Sequence, residues 1–184
     1  LVGAKEQRDR GFQDIMQQYH NQAGFQFLGI GRASETMQGF YIISNKRIEK
    51  VADFGGSSVA IGWVFKTFLA DYLGIVPVSI SDDERYSALE RGVVDGAFTK
   101  VAEVVPRGWH EVTKYFIDEG FGSNNTMFLM NLNKFKSLPA NLQNVLMDSV
   151  PAMEPYWEDS AQKNANEARA AMAAAGMEFI KFTP

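Results

Sequence analysis

The sequence predicts an α/β fold with a largely parallel sheet, on three observations. Short apolar runs alternate with amphipathic stretches along the whole 184-residue chain. Glycines punctuate that alternation where each helical stretch should stop, at Gly24, Gly74, Gly92 and Gly176. The segment Asp82–Phe98 carries a complete unit of helix, glycine stop and strand.

Lys5–His20 reads as the first helix, with Phe12, Ile15, Met16 and Tyr19 on one stripe. Phe25–Ile30 follows as an apolar strand, 31–38 as a polar loop, and Gly39–Ser44 as a second strand with a turn at 45–47. Ser57 or Ser58 is expected to cap a helix running to Tyr72, with Val64, Phe65, Phe68 and Leu69 on its buried face. Ile75–Ser79 is the next strand. In the 82–98 unit, Asp82 or Asp83 caps a helix and Tyr86, Ala88 and Leu89 form its buried stripe. Val93 and Val94 are expected to enter the sheet, with Asp95-Gly96 turning the chain out at the strand's carboxyl end. The charged run 82–85 is read as a solvated face. A short helix over 100–105 breaks at Pro106, and 125–131 is a strong strand. Helix then runs from about Leu138 to Ala175, with Pro151 and Pro155 expected to kink or break it. Met177–Phe182 closes the chain as a strand or extended tail.

Composition narrows the function. The 46% hydrophobic and 22% charged residues are ordinary for a globular protein. A net charge of -4 argues against nucleic acid as the main partner. The absence of cysteine excludes disulfides, thiolate metal sites and cysteine nucleophiles. No apolar run is long enough to span a bilayer. His20 and His110 have no ligand-spaced partner, and there is no Gly-x-Ser-x-Gly elbow or P-loop, so neither metal, cofactor nor catalysis is expected. The chain starts at Leu1 rather than at a methionine and reads as a mature or truncated fragment.

Tyr86-Ser-Ala-Leu-Glu-Arg-Gly-Val-Val-Asp-Gly96 resembles the signature helix and strand of DctP-type substrate-binding proteins of TRAP transporters. The likeness continues in the Ile48–Phe54 segment, in Glu111-Val-Thr-Lys-Tyr115 and in Ser137-Leu-Pro-Ala140, and covers roughly residues 25–182. It implies a type II periplasmic-binding-protein fold of two lobes around a cleft, with the amino-terminal part of lobe one missing. Residues 1–24 would be a helix of lobe one or the hinge. Residues 25–122 would be the ligand-binding lobe two, and 123–184 the crossover strand, long hinge helices and closing strand. The implied function is periplasmic capture of a small organic acid, by a monomer or a dimer, for delivery to a TRAP permease. An α/β enzyme or a ligand-sensing domain on the same scaffold are the alternatives.

The resemblance also implies a strand after Asp53-Phe54 whose arginine clamps the ligand carboxylate. A guanidinium suits that task because it offers two parallel donors to a planar carboxylate. Here Phe54 runs into Gly55-Gly56-Ser57-Ser58, and no arginine follows. Deleting a central strand would orphan its neighbours' backbone groups, so further residues are expected between Phe54 and Gly55. Candidate ligand contacts are Arg32 in the polar loop, against a solvated loop arginine, and Phe40 as a pocket wall, against a core residue. Ser57 is a candidate anion donor at a helix start, against a plain cap. Phe98 and Thr99 follow Val-Asp-Gly at positions that the resemblance places in the cleft, as an aromatic wall and a polar hook. Asn125 is the modest candidate on the crossover. Lys100 is read as a surface lysine that could supply charge if the arginine is missing.

Overall fold

The structure is a computed structural model and describes residues 4–31, 39–62, 65–122 and 126–182. In chain order its helices are α1 (Ala4–Asp9), α2 (Phe12–Gln22), α3 (Lys66–Leu73), α4 (Asp82–Glu90), α5 (Val101–Val104), α6 (Leu132–Lys136) and α7 (Ala140–Ala174). Its strands are β1 (Phe25–Gly31), β2 (Phe40–Ser44), β3 (Ser58–Ala60), β4 (Val76–Val78), β5 (Gly96–Lys100), β6 (Tyr115–Ile117), β7 (Thr126–Asn131) and β8 (Glu178–Ile180). Two compact units result. One comprises residues 1–34 and 124–161, the other 35–123 and 162–184. The expected boundary at residue 25 therefore moves, because β1 pairs antiparallel with β7, about a hundred residues downstream, and not with the strands that follow it.

In the first unit the β1–β7 ribbon bulges between Phe27 and Gly29. Gly29 sits at φ +150°, and a Cβ there would lie 2.6 Å from Val150 Cγ1, so only glycine lets α7 come this close. Phe128 and Trp157 stack in parallel at 5.5 Å, and Arg8 pairs with Glu154. The expected first helix is two helices, broken at Gly11 (φ +85°). Its predicted stripe is not a buried one, since Ile15 and Tyr19 are exposed.

The second unit is built on a six-stranded sheet of order β4-β3-β5-β2-β6-β8. Only β2 runs against the others, so the largely parallel sheet is as predicted. One face packs Ile42, Phe98 and Ile117 with Phe54, Ile61, Leu69 and Ile75. On the other face Tyr41 packs against Phe116, and Phe116 against Phe179. The Arg169 guanidinium of α7 lies over all three rings and bonds Asp118 at 2.7 Å.

Three local expectations fail in this unit. Ser57 and Ser58 do not cap a helix. Ser57 turns the chain, donating its N–H to Phe54 O at 2.9 Å, and Ser58 opens β3. The helix begins at Lys66, because residues 58–60 are drawn between β4 and β5. The missing strand is therefore present. A turn closed by Gly55 N–H to Ala52 O (3.4 Å) and Ser57 N–H to Phe54 O leads into β3, which pairs with both β4 and β5, so no further residues are needed to supply a strand there.

Val93 and Val94 are not in a strand either. Val93 N–H bonds Ala88 O at 2.9 Å in the helix-ending turn around Gly92 (φ +68°), and β5 starts only at Gly96. Asp95-Gly96 thus enters the strand at its amino end. In the first unit, Pro151 and Pro155, expected to kink or break the last helix, lie inside α7, whose 35 residues run through both. Leu138-Pro139 precedes it, where Leu142 N–H bonds Pro139 O at 2.9 Å.

Candidate functional site

Ligands of open α/β sheets collect at the carboxyl ends of the strands. In the second unit that edge comprises the ends of β3 (Ala60) and β5 (Thr99-Lys100), with the start of the reversed strand β2 (Phe40) beside them. Register decides which side chains meet there. Phe40 pairs with Lys100, Tyr41 with Thr99 and Ile42 with Phe98. Side chains alternate along a strand, so Phe40, Phe98 and Lys100 share one face while Tyr41 and Thr99 share the other.

On the first face three rings form a platform. Phe40 stacks on Phe98 at 4.9 Å with an interplanar angle of 7°. Phe65 lies 4.8 Å from Phe40 and 5.2 Å from Phe98. Such pairs are worth about 0.5–1.5 kcal/mol each beyond area burial. Phe40 is locked by its backbone: its N–H donates to Gly122 O and its carbonyl accepts from Phe121 N–H, both at 2.8 Å. Gly122 approaches closely, and a Cβ there would be 3.4 Å from Phe65 Cε1. Phe98 is buried, whereas Phe40 and Phe65 are half-buried. The Lys100 ammonium sits 5.5 Å from the Phe40 ring centroid. It is half-buried, and no carboxylate of the described residues lies within 4.0 Å of it.

The other candidates fall elsewhere. Thr99 is buried on the opposite face, its hydroxyl 3.5 Å from Lys100 O, so Phe98 and Thr99 do not form one pocket pair. Ser57 is buried in the turn before β3 and not at a helix start. Arg32 and Asn125 lie outside the described residues.

Asp95, expected at the carboxyl end of its strand, is a brace at the amino end of β5. Its Oδ2 accepts from Ser58 N–H (2.8 Å), Ser58 Oγ–H (2.9 Å) and Lys46 Nζ (2.8 Å). Burial opposes its ionisation, yet these bonds outweigh burial and hold its carboxyl below the usual range.

Sequence reasoning also missed Arg85, read as part of a solvated face. It is buried at 7% exposure, lies over Trp109, and pairs with Asp82 at 3.1 Å. Its Nε has no partner, and burial lowers its pKa. Trp109 itself is core. Among the described residues no group of three His, Asp or Glu side chains can hold a metal, and no helix is long and apolar enough to cross a membrane.

A family model, DctP, bacterial extracellular solute-binding protein family 7, matches residues 4–184. The chain belongs to this family. The chain is similar to an uncharacterised protein of Haemophilus influenzae, 29% identical over 161 residues, which are 83% of this chain and 47% of that protein. Solved structures share the fold at lower identity. A TRAP periplasmic solute-binding protein from Desulfovibrio salexigens with bound orotic acid has a TM-score of 0.76 at 23% identity, over 97% of this chain and 57% of that one. The Bordetella pertussis receptor DctP7, binding pyroglutamic acid, gives 0.77 at 20% identity, over 93% and 56%. A TRAP periplasmic solute-binding protein from Ochrobactrum anthropi, its carboxyl terminus bound in the ligand pocket, gives 0.83 at 19% identity, over 98% and 56%. The chain spans about half the length of the relatives it matches. β3, the strand that follows Asp53-Phe54, reads Ser58-Val59-Ala60 and carries no cation.

Proposed function

We propose that this DctP chain serves an extracytoplasmic receptor of a TRAP-type uptake system. It binds a small organic acid in the periplasm, closes on it by hinge motion and hands it to the membrane permease. One observation carries this reading: the family model covers the chain from residue 4 to residue 184. The orotic and pyroglutamic acids bound by two proteins of the same fold support the organic-acid class. Closure needs the ligand to favour the closed state over the open one, so the ligand must touch more than one part of the receptor. The family is one of solute-binding proteins, which supports a non-catalytic role over the enzyme alternative.

The test is a thermal-shift screen of the protein against orotate, pyroglutamate, C4-dicarboxylates, sugar acids and keto acids. A ligand at about 100 times its Kd adds about 2.7 kcal/mol of stability. For a chain of this size that raises Tm by about 5–10 °C. No shift with any acid at millimolar concentration would sink the receptor reading.

A further inference from the structure

We propose that Lys100, standing on the Phe40 ring, is the anion contact of this receptor, and that Phe40 and Phe65 select a carboxylate with a flat apolar body. The proposal rests on the receptor reading and names the chemistry of its site. Three observations on the sheet's carboxyl edge carry it.

The first is an ammonium without a counter-ion. Lys100 has lost part of its hydration to the sheet edge, and no carboxylate of the described residues replaces it within 4.0 Å. By contrast Arg85, Arg107 and Arg169 in the same unit are each paired with Asp82 or Asp118 at 2.7–3.2 Å. A half-buried cation is stabilised only partly by a ring face, and a ligand carboxylate completes its partners.

The second is the platform beneath it. Phe40 is half-buried, held by two backbone bonds to residues 121–122 and stacked on the buried Phe98. Phe65 extends the apolar surface at 4.8 Å. Phe98 covers one face of Phe40 and the Lys100 ammonium stands over the ring, so a flat group would pack against the Phe65 ring and the edge of Phe40 while its carboxylate reaches Lys100. A purely polar acid gains the charge contact but leaves the platform wet.

The third is the composition of β3. It offers Ser, Val and Ala and no cation, while its neighbour β5 ends in an ammonium. A lysine is a point charge on a flexible stem, not a planar fork. It therefore accepts one carboxylate oxygen at varied angles and leaves discrimination to the rings.

The experiment measures Tm shifts and calorimetric Kd with benzoate, benzamide, acetate and succinate on the wild type, Lys100→Met, Lys100→Arg and Phe40→Leu. Benzoate is expected to bind the wild type more tightly than acetate or succinate, and neutral benzamide not to bind. Lys100→Met should weaken benzoate about tenfold or more. Lys100→Arg should restore most of that loss by restoring the charge. Phe40→Leu should keep charge recognition but narrow the preference for benzoate over acetate. The Lys100 side chain makes no hydrogen bond among the described residues, so its variants should melt within about 2 °C of the wild type. Any acid that binds Lys100→Met as tightly as the wild type overturns the proposal and leaves the receptor reading standing. If none of the four probes binds but an acid of the broader screen does, the platform assignment falls alone. Silence across both panels overturns both.

Discussion

Replacing Asp95 with alanine removes the brace that joins the starts of β3 and β5, and the structure sets the size of the loss. One carboxylate oxygen takes three donors: Ser58 N–H, Ser58 Oγ–H and Lys46 Nζ. Ser58 returns the contact, since its Oγ and its carbonyl lie 3.0 and 2.8 Å from Asp95 N. The substitution leaves the Ser58 N–H without its acceptor at a partly buried strand start, which costs about 1–3 kcal/mol. The Lys46 pair is half-exposed on the lysine side and adds at most about 1 kcal/mol. The expected loss is thus about 2–3 kcal/mol at pH 7, read by urea denaturation followed by circular dichroism. The pH dependence fixes the cause. The folded pKa of Asp95 lies below its unfolded value of about 3.9. The ionic part of the stabilisation is therefore fully present above that unfolded value and is lost as pH falls through the folded pKa. The gap between wild type and variant should narrow as pH falls below about 4. A variant within 0.5 kcal/mol of wild type at pH 7, or a gap that stays constant with acid, would refute the brace.

Two further predictions concern the same sheet. Gly96→Ala would place a Cβ 2.4 Å from Ile43 O and 3.3 Å from Ser44 Cα, both backbone atoms that cannot rotate away. It should cost about 3 kcal/mol. Soluble yield and melting temperature check this, and a variant melting like wild type would show that β2 and β5 are not in this register. Arg85→Met should be nearly neutral, within about 1 kcal/mol by urea denaturation, or stabilising. It exchanges a buried guanidinium with an unpartnered Nε for an apolar chain of similar length, and Asp82 keeps Arg107 at 3.2 Å. A loss above about 3 kcal/mol would mean that the bond from Arg85 to Phe98 O matters far more than its 3.4 Å length suggests.

The sequence by itself determined what local chemistry controls. Apolar runs placed β1, β2, β4 and β7 to within a residue or two, and Gly92 stopped α4 where its left-handed φ allows. The order of these pieces gave the α/β class, and the motif from Tyr86 to Gly96 gave the family. Tertiary structure decided the rest, because partners distant in the chain set it. Ser57-Ser58 carries a good local helix-start signal, yet strands beginning at residues 76 and 96 hold it extended. Val93 and Val94 have strand propensity, but the Asp95 brace starts the pairing at Gly96. Arg85 looks solvated on a helical wheel until Trp109 covers it. Likewise nothing near Lys100 in sequence reveals Phe40. Their meeting is fixed by the antiparallel register of β2 on β5 across sixty residues, and register is a property of the folded sheet and not of either strand alone.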